Sequence, residues 1–477
     1  MPVIDKQSAA ISCIVLCGAA LLARFTVGLH PYSGRGVAPH FGDYEAQRHW
    51  MEVTVHLPAS EWYVDSKSNN LSYWGLDYPP LSGYQSWLFG QAIRSIEPDA
   101  VALHTSHGYE SPHSKFLMRL TVVVSDILVF FPAVLLCLRV FGGGKTVHEK
   151  QWWLLVVLLQ PAALLIDHGH FQYNNITLGF AAGAAAAIAA GHDCWGSMLF
   201  CLSLNHKQMS MYYAPAFFAH LLGKCLQKPS MTQQVFGVAK LGLVVVATFA
   251  VCWAPFLASP GGALQVLHRL VPVKRGLYED YVANFWCVTS PVFKWRRVYT
   301  QQVHEKSILL ALLPVTLLAF DQPVVAAWLP VWAALSMYPL LRKDGLSIAY
   351  LACLLLWLAV VAPRSSLQSE QQSPVQTGHA YTQSKRSRRL GPRVGAKLVG
   401  VSGPQLLHYA SLLSLLPAAC IHVAQCFVQP PAQLLHLYDA AFVTLSFVHI
   451  FSTAVYFNVS QWSLFMSLVS KKHSKRS

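Results

Sequence analysis

The segment AAISCIVLCGAALLARF (residues 9–25) decides the class of this chain, because Arg24 is its only charged residue. A transmembrane helix needs roughly 20 consecutive, mostly apolar residues, and the hydrocarbon favours helices because each satisfies its own backbone hydrogen bonds. No strongly basic lead precedes the run, and no small-residue cleavage site follows it. The segment therefore predicts a retained first membrane span and not a removed signal peptide.

Similar apolar runs recur along the 477 residues, of which 54% are hydrophobic and only 12% are charged. This composition predicts an all-α, polytopic helical membrane protein. The two runs beside Asn205 can be interpreted as separate spans or as one bent or re-entrant element. The candidate spans are 9–26, 116–139, 152–166, 176–191, 195–205, 208–223, 236–258, 306–320, 323–341, 345–362, 405–428 and 434–457.

Basic residues set the orientation of these spans, because lysine and arginine are enriched in cytosolic loops. They cluster in segment 363–404 and in the tail after residue 470, which places both on the cytosolic side. Arg342 and Lys343 fall on the opposite side and are exceptions to the rule. The predicted organisation is a membrane module over 1–362 with a large lumenal loop over 27–115, a disordered basic linker over 363–404, and a transmembrane pair with a basic tail over 405–477.

Charge and cysteine usage exclude other classes of protein. The net charge of +14 fits basic residues beside spans, which contact anionic lipid headgroups. No basic face carries interleaved aromatic residues, as a nucleic-acid-binding surface does. The eleven cysteines are scattered, mostly within apolar runs, which argues against a disulfide framework and a zinc site. We therefore expect membrane lipid as a partner, no nucleic acid, and no metal.

The polar run after the first span is out of place in such a chain. Nine of the 21 acidic residues lie between residues 30 and 115, in a run that includes GDYEAQRHW (42–50) and SYWGLDYPPL (72–81). Asp43 has two interpretations: an N-cap that accepts backbone hydrogen bonds at a helix start, or a carboxylate that acts as general base for a sugar hydroxyl. The aromatic residues of the run offer stacking faces for a carbohydrate, or they anchor the loop at the membrane interface.

Four later polar segments emerge on the same, non-cytosolic face in this topology. They are HGHFQYNN (168–175), NHKQM (205–209), KRGLYED (274–280) and VHEKS (303–307). Ionisable residues near spans are costly and usually face a cavity or a partner, so their convergence predicts a site on that face. The two halves of the chain show no repeat, which favours an enzyme over a secondary transporter.

Other charged residues have a structural and a functional interpretation. Asp126, two helical turns after Arg119, is interpreted as a buried polar tether between helices. Lys207 suits helix packing and a lipid headgroup equally well. A group of cations lies on the predicted site face, either as an interfacial basic cluster or as ligands of a lipid phosphate. Its members are Lys274, Arg275, His304 and Lys306.

A set of motifs carries a resemblance to a known family: GDYEAQRHW, WGLDYPPL, ALHTSHGYES, GHFQYN, ANFWC and VHEKSILL, within residues 41 to about 337. By these motifs the chain resembles the dolichyl-phosphate-glucose-dependent glucosyltransferases of the endoplasmic reticulum. The resemblance implies a C-type glycosyltransferase (GT-C) fold with a lumenal active site. It also implies inverting transfer of the first glucose, in α-1,3 linkage, from dolichyl phosphate glucose to the terminal mannose of the nine-mannose dolichol-linked oligosaccharide used in protein N-glycosylation. The alternatives are the sister enzymes that add the second glucose and a non-enzymatic lipid or sugar transporter.

The resemblance also implies roles for individual residues. It places the general base on Asp43 and contacts to the donor phosphate on Arg275 and His304, and it implies that no metal or cofactor is needed. Other polar residues of the same segments are predicted to bind substrate: Glu45, Arg48, Trp74, Asp77, His170 and Glu305.

The chain departs from the family pattern between the motifs ANFWC and VHEKS. Family members carry a longer stretch there, enough for two more spans, whereas only residues 288–302 separate the two motifs here. Removal of two crossings preserves the sidedness of everything downstream. We therefore expect this chain to insert correctly, to pack less well around the donor lipid, and to transfer weakly or not at all.

Overall fold

The computed structural model describes residues 6–270, 283–289, 305–370 and 403–474. Within these residues the regular structure is helical, and no β-strand forms. The all-α class predicted from composition is confirmed. The helices of the first half are α1 (Lys6–Gly28), α2 (Gly42–His56), α3 (Leu71–Trp74), α4 (Pro80–Ile96), α5 (Pro112–Ser125), α6 (Phe131–Phe141), α7 (Val147–Leu158), α8 (Pro161–Ala163), α9 (Asn174–Ala189) and α10 (Asp193–His206).

Two turns of π-helix connect helices of the first half: Asp126–Phe130 joins α5 to α6, and Leu164–Phe171 extends α8 towards α9.

The second half continues the same helical architecture. The helices of the second half are α11 (Ala214–Leu226), α12 (Met231–Leu257), α13 (Gly262–Leu270), α14 (Phe285–Thr289), α15 (Ile308–Leu317), α16 (Pro323–Ser336), α17 (Tyr338–Lys343), α18 (Ser347–Glu370), α19 (Gly403–Phe427) and α20 (Leu437–Ser474).

Five helical stretches of the described residues are long and apolar enough to cross a membrane. Shorter apolar helices, including α9 and α16, accompany them. Each predicted span overlaps a helix of the structure, and the fold is that of a multi-pass membrane protein. The five long stretches are Gln7–Gly28, Pro112–Phe141, Val147–Phe171, Met231–Leu257 and Leu437–Ser467.

The helix bounds bear on two details of the predicted organisation. α18 runs to Glu370 and so extends into the segment predicted to be a disordered linker. Residues 371–402 lie outside the described residues, so the linker stays a prediction. The two apolar runs beside Asn205 form separate helices, α10 and α11, because Lys207 after α10 is extended (φ −145°, ψ 119°). Both helices pack against α12.

The main apolar core joins helices from both halves of the chain. It contains the buried rings of Trp153 in α7, Trp332 in α16 and Phe442 in α20. The ring of His449 in α20 stacks on Trp332 with 3.6 Å between centroids. The C-terminal helices therefore share one core with the N-terminal ones.

The predicted lumenal loop is a packed helical layer. Its helix α2 lies against α4, and two smaller apolar cores form beneath the layer. One surrounds Met51 and Phe171, and the other surrounds Trp62 and Phe256. Because Phe256 belongs to α12, the layer rests directly on helices of the bundle.

Asp126 ties three parts of the bundle together. Its Oδ2 accepts hydrogen bonds from Arg24 Nε at 2.5 Å and from Asn175 Nδ2 at 3.0 Å, and it lies 3.0 Å from His168 Nε2. The predicted tether is confirmed, although Arg119 donates to backbone carbonyl oxygens and not to this carboxylate. Since Arg24 is buried within the predicted first span, α1 is an integral part of the fold.

Polar segments are divided between two ends of the bundle. At one end, Lys224 Nζ lies 2.5 Å from Asp193 Oδ1 at the start of α10, and Lys145 Nζ lies 5.3 Å from the ring centroid of Phe320. The other end, which we call the site end, holds the end of α10, the start of α9 and the start of α15. The helical layer of residues 27–115 covers the site end.

Candidate active site

Asp43 stands in the first turn of α2, and the chain before it sets its direction. Phe41 and Gly42 both have left-handed backbones, with φ of 55° and 70°. Gly34 packs so closely that a Cβ there would lie 2.1 Å from the carbonyl carbon of Phe41, which only glycine avoids. A backbone N–H of the same loop donates to the carbonyl oxygen of His170 at 3.1 Å. The loop is therefore held against the site end of the bundle.

The Asp43 carboxylate meets three polar groups from distant parts of the chain. Its Oδ2 lies 3.0 Å from Nε2 of His170 and accepts a hydrogen bond from Nε2 of Gln172 at 2.5 Å. The ammonium of Lys306 forms an ion pair with the same oxygen. The N-cap position of α2 belongs to Phe41, without a side-chain cap, so the N-cap interpretation of Asp43 is wrong.

Two opposing effects act on the acidity of Asp43. Burial raises the pKa of this carboxyl, but the positive charge of Lys306 and the hydrogen bond from His170 outweigh it and hold the pKa well below 3.8. The group is therefore an ionised carboxylate at physiological pH. Its side chain is 23% exposed, and the three contacts with described residues all fall on Oδ2, so Oδ1 takes no part in them.

A second carboxylate, that of Asp344, contacts the other ring nitrogen of His170 and orients the ring. Nδ1 of His170 lies 2.5 Å from Oδ2 of Asp344, in the turn between α17 and α18, and both side chains are at most 4% exposed. With carboxylates at both ring nitrogens, the doubly protonated imidazolium satisfies both contacts.

Arg342, which is an exception to the predicted distribution of basic residues, lies close to Asp344 in sequence. Its Nη2 lies 3.3 Å from Oδ1 of Asp439, and this ion pair offsets its charge.

The predicted convergence of polar segments on one face is confirmed for the described residues. The early layer, HGHFQYNN and VHEKS meet at Asp43, and NHKQM joins them through two contacts. Lys207 Nζ donates to Oδ1 of Asn174 at 2.5 Å, and Nε2 of Gln208 donates to the carbonyl oxygen of Asp77 at 3.1 Å. The segment KRGLYED lies outside the described residues.

One turn further along α2, Arg48 forms a closed ion network. Its guanidinium donates to both oxygens of Glu45, at 2.6 and 2.7 Å, and to Oε2 of Glu52 at 2.7 Å. Ser106 completes its coordination with a 2.5 Å hydrogen bond. Glu45 and Arg48 are 1% and 0% exposed, so they hold the layer together. The prediction that these two residues contact substrate stays a prediction.

Within this network, His49, Glu52 and His107 are the candidate metal ligands of the described residues. Their ligand atoms lie within 4.8 Å of one another. Glu52 already accepts hydrogen bonds from Arg48, Ser106 and a backbone N–H. Burial raises the pKa of Glu52, but the hydrogen bond from His49 and the charge of Arg48 lower it overall. The nearby guanidinium charge opposes a cation, so the set fits a hydrogen-bond network better than a metal centre.

Trp74 and Asp77 belong to the helical layer of residues 27–115. The indole N–H of Trp74 donates to the carbonyl oxygen of His40 at 2.6 Å, and both Trp74 and Asp77 are half-buried. Their predicted substrate contacts stay predictions.

The predicted phosphate ligands Arg275 and His304 lie outside the described residues. Glu305 begins a short 3-10 turn that ends at Ser307, and its side chain also lies outside them. Their assignments stay predictions.

Several residues of the site were not predicted as site residues. Gln172 stands two residues after His170 in a polar segment that the sequence marks, so its spacing could have suggested it, whereas Lys306 was predicted only as one of the cations on the site face. Asp344 follows two basic residues in an otherwise apolar region, and no local pattern distinguishes it from a solvated turn residue. Only the packing of α18 against the Leu164–Phe171 turn brings it to His170.

Comparison with known proteins identifies the family of this chain. The profile of the ALG6, ALG8 glycosyltransferase family matches residues 20–301 and 298–456. The chain belongs to this family. The two matched pieces meet inside residues 288–302, the segment that the motifs indicate to be shorter than in the family.

Relatives from plants, animals and fungi resemble most of the chain. A probable dolichyl pyrophosphate Man9GlcNAc2 alpha-1,3-glucosyltransferase of Arabidopsis thaliana is 38% identical over 96% of this chain and 91% of that protein. The dolichyl pyrophosphate Man9GlcNAc2 alpha-1,3-glucosyltransferase of Gallus gallus is 39% identical over 92% and 94%, respectively. The Saccharomyces cerevisiae enzyme of the same name is 39% identical over 71% of this chain and 72% of that protein.

Proposed function

We propose that this glycosyltransferase moves glucose from dolichyl phosphate glucose to the terminal mannose of dolichol-linked Man9GlcNAc2, with an α-1,3 linkage. The observation that carries the proposal is an ionised, partly exposed Asp43, held by His170, Gln172 and Lys306 at the site end. The names of the relatives support the acceptor and the linkage. They also favour addition of the first glucose over addition of the second.

The reaction requires one base and one displacement. The acceptor hydroxyl oxygen bonds to the anomeric carbon of glucose while the bond from that carbon to the phosphate oxygen breaks. Asp43 takes the hydroxyl proton, within hydrogen-bond reach of the attacking oxygen. Dolichyl phosphate leaves as an anion, so no acid must protonate it, and nearby cations offset its charge. Attack from the side opposite the phosphate inverts a β-linked donor to an α-linked product.

Lys306 connects the base with the leaving group in this mechanism. Before substrate binds, its ammonium pairs with Asp43 and makes that carboxylate a weak base. A bound phosphate competes for the same ammonium. As Lys306 turns towards the phosphate, the pKa of Asp43 rises and the carboxylate becomes a better proton acceptor. Donor binding would thus prepare the base for the acceptor.

The proposed setting is the membrane of the endoplasmic reticulum, with the site end in the lumen. Basic residues in segment 363–404 and in the C-terminal tail support this orientation. We also propose that transfer needs no metal ion, because a phosphate leaving group and fixed ammonium groups supply the charge compensation that a metal supplies elsewhere.

The test is transfer by the purified full chain in detergent or lipid. Synthetic dolichyl phosphate glucose and dolichyl phosphate mannose are offered separately, with dolichol-linked Man9GlcNAc2 as acceptor. We expect one added hexose from the glucosyl donor only, removable by an α-glucosidase, at a low rate because of the shortened segment 288–302, and the same rate with a metal chelator. Transfer only to an acceptor that already carries one glucose would assign the sister activity, and transfer from the mannosyl donor would overturn the proposal.

A chimera addresses the shortened segment. The family's longer stretch from a relative is inserted between Cys287 and Val303, and its transfer rate is compared with that of the 477-residue chain. We expect correct insertion of both proteins and a higher rate for the chimera. Equal rates would show that the extra stretch is dispensable for donor binding.

A further inference from the structure

Lys207 is a buried cation at the site end that the proposed reaction does not yet use. Its side chain is 3% exposed. Nζ donates to Oδ1 of Asn174 at 2.5 Å and lies 4.6 Å from the ring centroid of Tyr78. Both partners are neutral. Within the described part of the chain, no carboxylate lies within ion-pair distance of this ammonium.

A buried ammonium without an anion is unfavourable, because its burial removes water and supplies no opposite charge. Burial and the charge of Lys306 lower the pKa of Lys207. An anion bound beside Lys207 would compensate both effects. The charged and titratable groups that act on it are Lys306, Asp167, Asp43, Asp77 and the adjacent His206.

The position of Lys207 relates it to the reacting atoms. Its partner Asn174 is two residues after Gln172, which donates to Asp43. In the proposed reaction the base lies about 3 Å from the acceptor oxygen, which lies about 3 Å from the anomeric carbon. The donor phosphate is joined to that carbon through one oxygen. The diphosphate of the acceptor lies at the opposite end of its oligosaccharide, so the phosphate nearest Asp43 is that of the donor.

We infer that Lys207 binds the phosphate of the lipid-linked sugar donor. This inference rests on the proposed function and adds a binding residue to it. Asn174 and the Tyr78 ring hold the Lys207 side chain in place before the donor arrives. The cost of its unpaired charge is then removed when the phosphate binds, which makes donor binding more favourable.

The experiment compares Lys207→Met with wild type in two arms. In one, the donor concentration is varied at fixed acceptor; in the other, the acceptor is varied at fixed donor. Loss of a charge-assisted hydrogen bond to the phosphate should raise the KM for the donor about 10- to 100-fold above that of wild type. The KM for the acceptor should not change. Lys207→Arg, which keeps the charge, should recover part of the loss. A rise confined to the acceptor arm would assign Lys207 to the acceptor diphosphate and overturn the inference.

Lys115 provides a matched control at the same end of the bundle. Its Nζ donates to the carbonyl oxygen of Leu29 at 2.8 Å and lies 6.0 Å from the ring centroid of Tyr32. Lys115 is thus also a lysine that contacts an oxygen acceptor and an aromatic ring, but none of its contacts with described residues is to Asp43, His170, Gln172 or Lys306. We expect Lys115→Met to leave both KM values unchanged.

A binding measurement separates this inference from the proposed function. Thermal stabilisation by a short-chain polyprenyl phosphate glucose is measured for wild type, Lys207→Met and Lys207→Gln. We expect stabilisation of wild type and its loss in both variants. If wild type binds and the variants bind equally well, the inference fails while the proposed function stands. If wild type neither binds this donor nor transfers from it, the proposed function fails, and the inference with it.

Discussion

Two charged clusters lie one turn apart on α2, and they differ in how completely their polar atoms are used. Asp43 is 23% exposed, and its contacts fall on one carboxylate oxygen. Arg48 is fully buried, and Glu45, Glu52 and Ser106 surround its guanidinium. A saturated buried network stabilises structure, whereas a partly used, partly open carboxylate is available for chemistry. Residue type alone does not make this distinction.

The clusters also differ in the origin of their partners. Glu45 and Glu52 lie three and four positions from Arg48 on the same helix. The partners of Asp43 lie 127, 129 and 263 positions away in the chain. The first cluster therefore belongs to the fold of one layer, and the second exists only when that layer is docked on the bundle.

The largest expected effect comes from removal of the base. Asp43→Asn keeps the size of the side chain but cannot accept the proton, so we expect transfer to fall by roughly two to four orders of magnitude at nearly normal thermal stability. The exposed Glu61→Gln, in the same layer, should transfer normally. Near-normal transfer by Asp43→Asn would place this carboxylate with the structural cluster and break the comparison.

Disruption of the closed cluster should act on stability. Arg48→Met leaves two buried carboxylates without their cation, which costs about 3–5 kcal/mol in the free energy of unfolding. Thermal and denaturant unfolding in detergent measure this loss, with the exposed Arg94→Met as the control. Protein that folds as stably as wild type but has lost transfer would show that Arg48 acts in the chemistry.

The pH dependence of transfer should distinguish the two roles of Lys306. Its charge lowers the pKa of Asp43, so Asp43 in the free enzyme stays ionised well below pH 4. Lys306→Met removes this effect and raises the pKa of Asp43, so protonation begins at higher pH. We expect the acid limb of the kcat/KM profile to move to higher pH in the variant. An unmoved acid limb would show that Lys306 does not control the base.

The smallest expected effect concerns Asn70, which belongs to neither cluster. It is exposed on the early layer within the sequon Asn70-Leu71-Ser72, and a lumenal loop with this motif is a substrate for N-glycosylation. We expect glycan removal to shift the gel mobility of wild type but not of Asn70→Gln, with transfer unchanged. Asn458 begins another exposed sequon, in α20 towards the predicted cytosolic tail, and Asn458→Gln should not change the shift. A glycan on Asn458 instead would reverse the proposed orientation.

Much of the architecture and the location of the site follow from the sequence alone. Apolar runs of span length predict membrane helices wherever they occur, because the requirement to satisfy backbone hydrogen bonds in lipid is local to each run. Alternation of basic and polar connections then predicts which segments share an end, and the structure brings Asp43 and His170 together there. The six motifs between residues 41 and about 337 together were sufficient to indicate the family.

Tertiary structure alone decided which charged residues are available for chemistry. Glu45, Arg48 and Asp43 lie within one short motif and have the same polar character in sequence. Their difference depends on hydrogen-bond satisfaction, a property of distances of about 3 Å between residues that can be far apart in the chain. The docking of the layer brings Gln172 and Lys306 to Asp43 and leaves the Arg48 network closed. No local pattern encodes such distances, because they arise only when the helices pack.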